Sequence, residues 1–213
     1  MQYTEFKNTQ KHLPLIVSAD ILRFARNRQV ILNQLNRWQH KGLVLKLKKG
    51  IYQFNDNDRE LNPSREFIAQ QLYGPSYVSL EYALGVYGLI PEGVADITSV
   101  TTKKTAHFTN NRGVFIYQHI KPKAFRGFTA ARDAQGLSYF IASPEKALVD
   151  FFYLNLSRFK KADSRIFKES FRFQNTESLH PRKINEWTGL FANNNLKKIV
   201  KDFLQFQKEE SRA

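Results

Sequence analysis

Apolar and polar positions change their period several times over the first 54 residues, and each change marks an element. Residues 3–12 read as a short helix stopped by Pro14. Leu15, Ile16 and Val17 follow as a brief apolar run suited to a small strand. Ser18 is a good N-cap for a helix running to residue 25, with Asp20 in the first turn, where a carboxylate suits the helix dipole. Asn27 makes a turn, and a second helix over 28–41 ends at Gly42, a residue suited to closing it. On this helix Ile31, Leu35 and Trp38 fall in one narrow sector, while Gln29, Asn33, Asn36 and His40 cluster opposite. Leu43, Leu45 and Leu47 then alternate with Val44, Lys46 and Lys48, the period of a half-buried strand. Lys48-Lys49-Gly50 supplies a turn into a second strand over 51–54.

Beyond a polar stretch at 55–60 the pattern restarts. Pro63-Ser64 opens a capped helix over 65–73, and Ser79 begins another that closes at Gly88. Strand-like runs follow at 97–102, 106–109, 113–120 and 137–142, which predict a small, largely antiparallel sheet. Ser143-Pro144 starts a helix whose buried stripe is Ala147, Leu148, Phe151 and Phe152, and three further helices are predicted over 166–173, 182–191 and 196–208. The expected fold is α+β: an N-terminal winged helix-turn-helix over 1–60, then a mixed α+β domain over 61–213 with a small antiparallel sheet and a helical C-terminal part.

Charge sharpens that division. The chain of 213 residues carries 33 Lys and Arg against 19 Asp and Glu, a formal net charge of +14. Residues 1–54 hold ten bases and two acids, whereas 55–100 hold two bases and seven acids. The N-terminal block is thus an electrostatic unit of its own, and its sign favours polyanionic partners, nucleic acid before a membrane surface. A hydrophobic fraction of 42% with only 10 Gly and 7 Pro excludes disordered and low-complexity classes, and zero Cys excludes disulfide scaffolds and thiolate-bound metal. The first apolar run is too short for a signal-peptide core, and no stretch is apolar enough to span a bilayer, so a cytoplasmic protein without a membrane partner is expected.

A short helix, a tight turn, a helix with amides outward and a lysine-tipped hairpin together describe a winged helix-turn-helix, whose second helix lies in the DNA major groove. Gln29, Asn33 and Asn36 are the candidate base readers, because a carboxamide matches the donor and acceptor of adenine. Arg26, Arg28, Arg37, Lys41, Lys46, Lys48 and Lys49 are the candidate phosphate contacts, which position without reading sequence. The same pattern also fits a basic protein-interaction module or an RNA binder. Trp38 and Tyr52 fall near apolar positions and are assigned to the core.

Catalytic constellations are absent from the pattern. The five His show no HxxxH or HExxH spacing, and neither GxGxxG nor GxxxxGK[ST] occurs. Ser143-Pro144-Glu145-Lys146 matches SxxK only formally, without its companion motifs, and reads as an N-cap. The expectation is a non-enzyme with no cofactor and no metal.

Several segments in fixed order carry a family resemblance. They are Lys41-Gly42-Leu43 with Leu47-Lys48-Lys49-Gly50-Ile51-Tyr52, the run from Tyr77-Val78-Ser79-Leu80-Glu81 to Gly88-Leu89-Ile90-Pro91-Glu92, residues 97–102, and Ala142-Ser143-Pro144-Glu145-Lys146-Ala147-Leu148-Val149-Asp150. Over residues 5–155 the chain resembles the AbiEi antitoxin family. The resemblance implies a type IV toxin-antitoxin and abortive-infection context. It implies an N-terminal winged helix that represses its own operon and a second domain that counteracts a nucleotidyltransferase-like toxin; independently of the resemblance, a winged helix that binds as a homodimer is expected to use inverted half-sites. An interaction protein without specific DNA recognition is the alternative. Ser79 and Ser143 are read as N-caps, and Glu81 and Glu145 as first-turn acids.

Overall fold

The computed structural model describes residues 2–23, 27–159 and 165–210. The architecture is mixed α+β, with a three-stranded antiparallel sheet, a six-stranded mixed sheet and C-terminal helices. Helices α1 (Tyr3–Gln10), α2 (Ser18–Arg23) and α3 (Arg28–His40) surround strands β1 (Ile16–Val17), β2 (Val44–Lys48) and β3 (Ile51–Phe54), which lie in the order β1-β3-β2. Phe6, Ile16, Leu35, Trp38, Val44, Tyr52 and Phe54 form a small core of their own, with Phe6 stacked on Trp38 at 4.7 Å. Asn27 caps α3 by accepting from the Gln29 and Val30 amides, and Gly42 at φ +69° takes the left-handed turn that ends it.

The β2–β3 hairpin departs from the alternation expected of it. Directly paired residues project to the same side of an antiparallel pair, so Val44 opposite Phe54 and Lys46 opposite Tyr52 share the face of the small core. A bulge between Lys46 and Lys48 then shifts the register, and Lys48 falls opposite Ile51, which faces the other way. Val44 is therefore fully buried where Leu43 and Leu45 were expected, and both are only half-buried. Leu47 and Ile51, together with Leu15, belong to the large core of the remaining chain.

The polar stretch after β3 is fastened rather than loose. Asp58 accepts from the Lys7 ammonium at 2.7 Å and the Tyr3 hydroxyl at 2.6 Å, Glu60 pairs with Lys11 at 2.7 Å, and the Asn55 amide donates to the Gly42 carbonyl. Helix α1 is thereby clipped to the segment that leaves the small core.

The larger sheet is built from β4 (Ser76–Val78), β5 (Ile97–Thr101), β6 (Ala106–Asn110), β7 (Gly113–His119), β8 (Phe128–Arg132) and β9 (Ser138–Ala142), in the order β6-β7-β5-β4-β9-β8. The expected small, largely antiparallel sheet is corrected here. The sheet has six strands and is mixed: β4–β5 at its centre, β6–β7 and β8–β9 are antiparallel, whereas β5–β7 and β4–β9 are parallel, and β4 and β8 lie outside the predicted strands. Hairpin logic joins consecutive strands, but β6 folds back on β7 and so occupies the edge instead of a place beside β5. β4 has only three residues and β8 lacks an alternating apolar face, so neither announces itself in sequence.

Helix α4 (Arg65–Leu72) covers one face, where the Tyr117 hydroxyl donates to the Ala69 carbonyl. Helices α5 (Leu80–Val86) and α6 (Pro144–Leu154) cover the other, backed by α7 (Pro181–Gly189) and α8 (Asn194–Glu210). The predicted helix at 166–173 is a single wide turn over Ile166–Ser170. Its Phe167, with Phe151, Phe152, Phe159, Phe173, Phe203 and Phe206, joins α6 to α8 through edge, tilted and stacked ring contacts. No described helix is long and apolar enough to cross a membrane.

At the centre lies an ion pair with no exposure to solvent: Lys146 and Asp150, one turn apart on α6. Asp150 also accepts from the Tyr77 and Ser79 hydroxyls, each at 2.9 Å, and the Lys146 ammonium lies 4.9 Å from the Phe191 ring centroid. Ser79 thus does not cap α5 with its side chain. The Thr98 hydroxyl takes that role, accepting from the Tyr82 amide at 3.0 Å and donating to the Ser79 carbonyl at 2.7 Å. Ser143, in contrast, caps α6 by accepting from the Lys146 amide. Gly127, at φ +82°, closes over the pair, since a Cβ there would stand 3.1 Å from both the Lys146 stem and the Trp187 ring.

Two measurements check these fastenings. Asp150→Ala strands a buried ammonium and should cost about 3–5 kcal/mol in urea unfolding, whereas Lys146→Met/Asp150→Leu together should cost clearly less. Hydrogen bonds from Lys7 and Tyr3 hold the Asp58 carboxyl below its usual range. Its contribution is therefore complete above the unfolded carboxylate value of about 3.9 and is lost as pH falls through the lower folded value. The difference in melting temperature between wild type and Asp58→Asn should be present at neutral pH and vanish in strong acid.

Candidate nucleic-acid interface

Helix α3 turns Leu35 and Trp38 into the small core, which leaves its other side outward. Gln29, Asn33 and Asn36 are all exposed on that side, with Arg28, Arg37 and Lys41 exposed beside them. The Gln29 amide nitrogen donates to the Asn33 side-chain oxygen at 2.9 Å. This bond joins two carboxamides one turn apart and uses one donor and one acceptor of the pair. Arg26 lies outside the described residues.

The hairpin lysines divide. Lys46 and Lys49 are exposed, but Lys48 is half-buried, because the bulge aims it away from Lys46 and toward the larger sheet. Its ammonium donates to the Leu72 carbonyl and lies 5.4 Å from the Phe108 ring centroid and 5.9 Å from that of Tyr73. Burial, reinforced by the charge of Lys103, pushes the Lys48 ammonium below its usual range. Of the seven residues read as phosphate contacts, this one is held in the seam with the second sheet. The Asn110 side chain completes the seam by donating to the Leu47 carbonyl at 3.0 Å.

Sequence reasoning did not single out the opposite wall of that seam. His107, Phe108 and Thr109 of β6 face Lys46 to Lys49 across a cleft of about 540 Å³. The Lys103-Lys104 pair in a basic segment was the available signal, but its position beside the hairpin depends on the strand order. A second cleft of about 310 Å³ is lined by Glu81, Ile90 and Glu92 with Phe151, Arg158 and Phe171, and Arg172 reaches Glu92 at its rim.

The Lys146–Asp150 pair is closed to any substrate. Burial pushes the Lys146 ammonium down and the Asp150 carboxyl up, while each partner opposes the shift of the other. Glu145, also buried, accepts from the His180 amide at 3.4 Å at the start of α7. Among the described residues no group of three or more His, Asp or Glu could hold a metal ion. No protein-family model and no curated protein matches the chain.

The division among the hairpin lysines is measurable. Lys48→Ala should lower the unfolding free energy by about 1–2 kcal/mol, because the Leu72 carbonyl loses a charged donor. Lys49→Ala should leave it unchanged, and equal effects on stability would remove Lys48 from the seam.

Proposed function

We propose that the protein is a DNA-binding transcriptional repressor whose residues 1–60 act as a winged helix-turn-helix, with α3 in the major groove and the β2–β3 hairpin as the wing. The observation that carries this reading is the outer face of α3, where exposed Gln29, Asn33 and Asn36 are flanked by Arg28, Arg37 and Lys41. The amides read bases; the cations, with Lys46 and Lys49 of the wing, neutralise phosphates and fix the register. Lys48 is left out of the phosphate set because its ammonium is bonded to Leu72.

The resemblance to the AbiEi antitoxins supports the rest of the proposal. In this reading the repressor controls its own operon, and the domain over 61–213 counteracts a nucleotidyltransferase-like toxin within a cytoplasmic abortive-infection system. No catalytic step is assigned to this chain. In two of the segments that carry the resemblance, Tyr77, Ser79 and Lys146 all bind Asp150, and Glu145 accepts from the His180 amide at the start of α7.

Binding to DNA from upstream of the protein's own reading frame tests the proposal. Five exposed cations, Arg28, Arg37, Lys41, Lys46 and Lys49, predict a log-log slope of affinity against salt of about −4 to −5. Asn33→Ala should lose about 1–3 kcal/mol on that DNA and much less on random sequence. Equal losses on both would assign Asn33 to the backbone, and a footprint with one isolated half-site would exclude a symmetric pair. An absence of any preference for the upstream DNA would favour an interaction module without sequence-specific recognition.

A further inference from the structure

The two edges of the larger sheet are finished differently. At one end β6 faces the hairpin, and the Asn110 side chain donates to the Leu47 carbonyl across the gap. At the other end β8 pairs with β9 alone. The Ser143 amide donates to the Gly127 carbonyl and the Asp133 amide to the Leu137 carbonyl, which sets the phase of the ladder between them. The register is unbroken, so Thr129 and Ala131 direct their amides and carbonyls toward β9, and Phe128, Ala130 and Arg132 direct theirs away from it. Among the described residues no hydrogen bond outside the ladder reaches these outward groups.

Open edges are commonly blunted by a proline, a bulge, an inward lysine or a covering segment. β8 has no proline, lysine or bulge, Thr129 and Ala130 are exposed, and two alanines at its centre leave the backbone accessible. Elsewhere the fold does satisfy a loose strand amide: β9 pairs with β4 only from Ile141 to Val78, and the Phe140 amide donates to the Gln70 side chain at 2.8 Å. Phe140 lies opposite Ala130, is 38% exposed, and has its ring centroid 5.3 Å from that of Phe128. An apolar shelf thus adjoins an open row of donors and acceptors. Arg126 and Arg132, both exposed, bracket the strand, and residues 97–132 contain no Asp or Glu. Among the described residues neither arginine takes part in an ion pair. The carboxylate next in sequence, Asp133, is taken up by the Ser64, Gln135 and Leu137 amides. A second copy docked edge to edge would crowd the arginines of both chains, whereas an acidic strand satisfies backbone and charge together.

We propose that β8 is a docking edge for an acidic, extended segment of a partner protein. That segment adds to the sheet by main-chain pairing with Phe128, Ala130 and Arg132, sets carboxylates beside Arg126 and Arg132, and rests an apolar side chain on Phe140. The inference is independent of the DNA-binding reading, because β8 lies at the end of the strand order away from β6 and the hairpin.

The test is an NMR titration of the full-length protein, with amide hydrogen exchange as the readout, against a synthetic peptide that alternates glutamate with valine. A counterpart with lysine in place of glutamate and a fully N-methylated version of the acidic peptide are the controls. The acidic peptide should slow exchange at the Phe128, Ala130 and Arg132 amides, and neither control should do so. Ala130→Pro removes one outward N–H without touching the ladder to β9, so it should abolish the protection while keeping the melting temperature near that of wild type. Arg126→Gln/Arg132→Gln, which leaves the backbone intact, should weaken binding about three- to tenfold. Equal protection by the lysine peptide, or none by the acidic one, would overturn the proposal. Protection that rises with protein concentration in the absence of peptide, with a doubled mass in light scattering, would assign the edge to a second copy and overturn it as well. Protection of the same amides by a DNA duplex would assign the edge to nucleic acid, with the same consequence.

Discussion

The buried carboxylate of Asp150 is the constraint around which the larger part of the molecule is assembled. A charge removed from water needs partners on every side, and Asp150 finds three in Lys146, Tyr77 and Ser79. Each partner fixes an element. Lys146 shares α6 with Asp150, Tyr77 orients central strand β4, and Ser79 sets the turn from β4 into α5. With the Ser79 hydroxyl committed to Asp150, Thr98 of β5 caps the helix in its place, and Leu80 opens α5 at a left-handed φ of +60°. That backbone is unfavourable for leucine and persists because the surrounding core determines it. Gly127 and Trp187 close the far side against the Lys146 stem. A buried ion pair contributes less net stability than apolar side chains filling the same space. What this one fixes is the register of two helices on a sheet whose central antiparallel pair, β4–β5, is flanked on both sides by parallel pairings that no hairpin turn defines.

A second dependence joins the halves of the chain. One inserted residue in β2 lets a short hairpin serve two cores, with Val44, Tyr52 and Phe54 packed inward and Leu47 and Ile51 outward onto the larger domain. The same bulge converts Lys48 from a surface cation into a docking group. An apolar seam with a charged hydrogen bond at its edge positions the hairpin more closely than a flexible linker would. The clip from Lys7 and Tyr3 to Asp58 acts in the same direction by holding the exit from the small core.

The electrostatics follow from where the acids are used. Asp58 and Glu60 are consumed in fastening α1, and Glu92 pairs with Arg172 far along the chain. The helix and hairpin faces read as the DNA surface come from a stretch without a single carboxylate. Among the described residues, Lys46, Lys48 and Lys49 of that stretch take part in no ion pair.

Local periodicity determined the order and type of most elements, because helices such as Arg28–His40 bury a face that the sequence displays directly and strands such as Ile97–Thr101 are runs of mainly β-branched residues. It also determined the outward amides of Gln29, Asn33 and Asn36, since the opposite side of that helix has to bury Leu35 and Trp38. The i,i+4 spacing of Lys146 and Asp150 within an apolar helix was legible, but its partners were not, because Tyr77 and Ser79 are more than 60 positions away. Only the tertiary structure decided that Lys48 faces inward, that β5 and β7 run parallel, and that β6 forms the wall opposite the hairpin. A bulge and a strand order are settled by long-range pairing and packing, whose energies depend on neighbours that no local window contains.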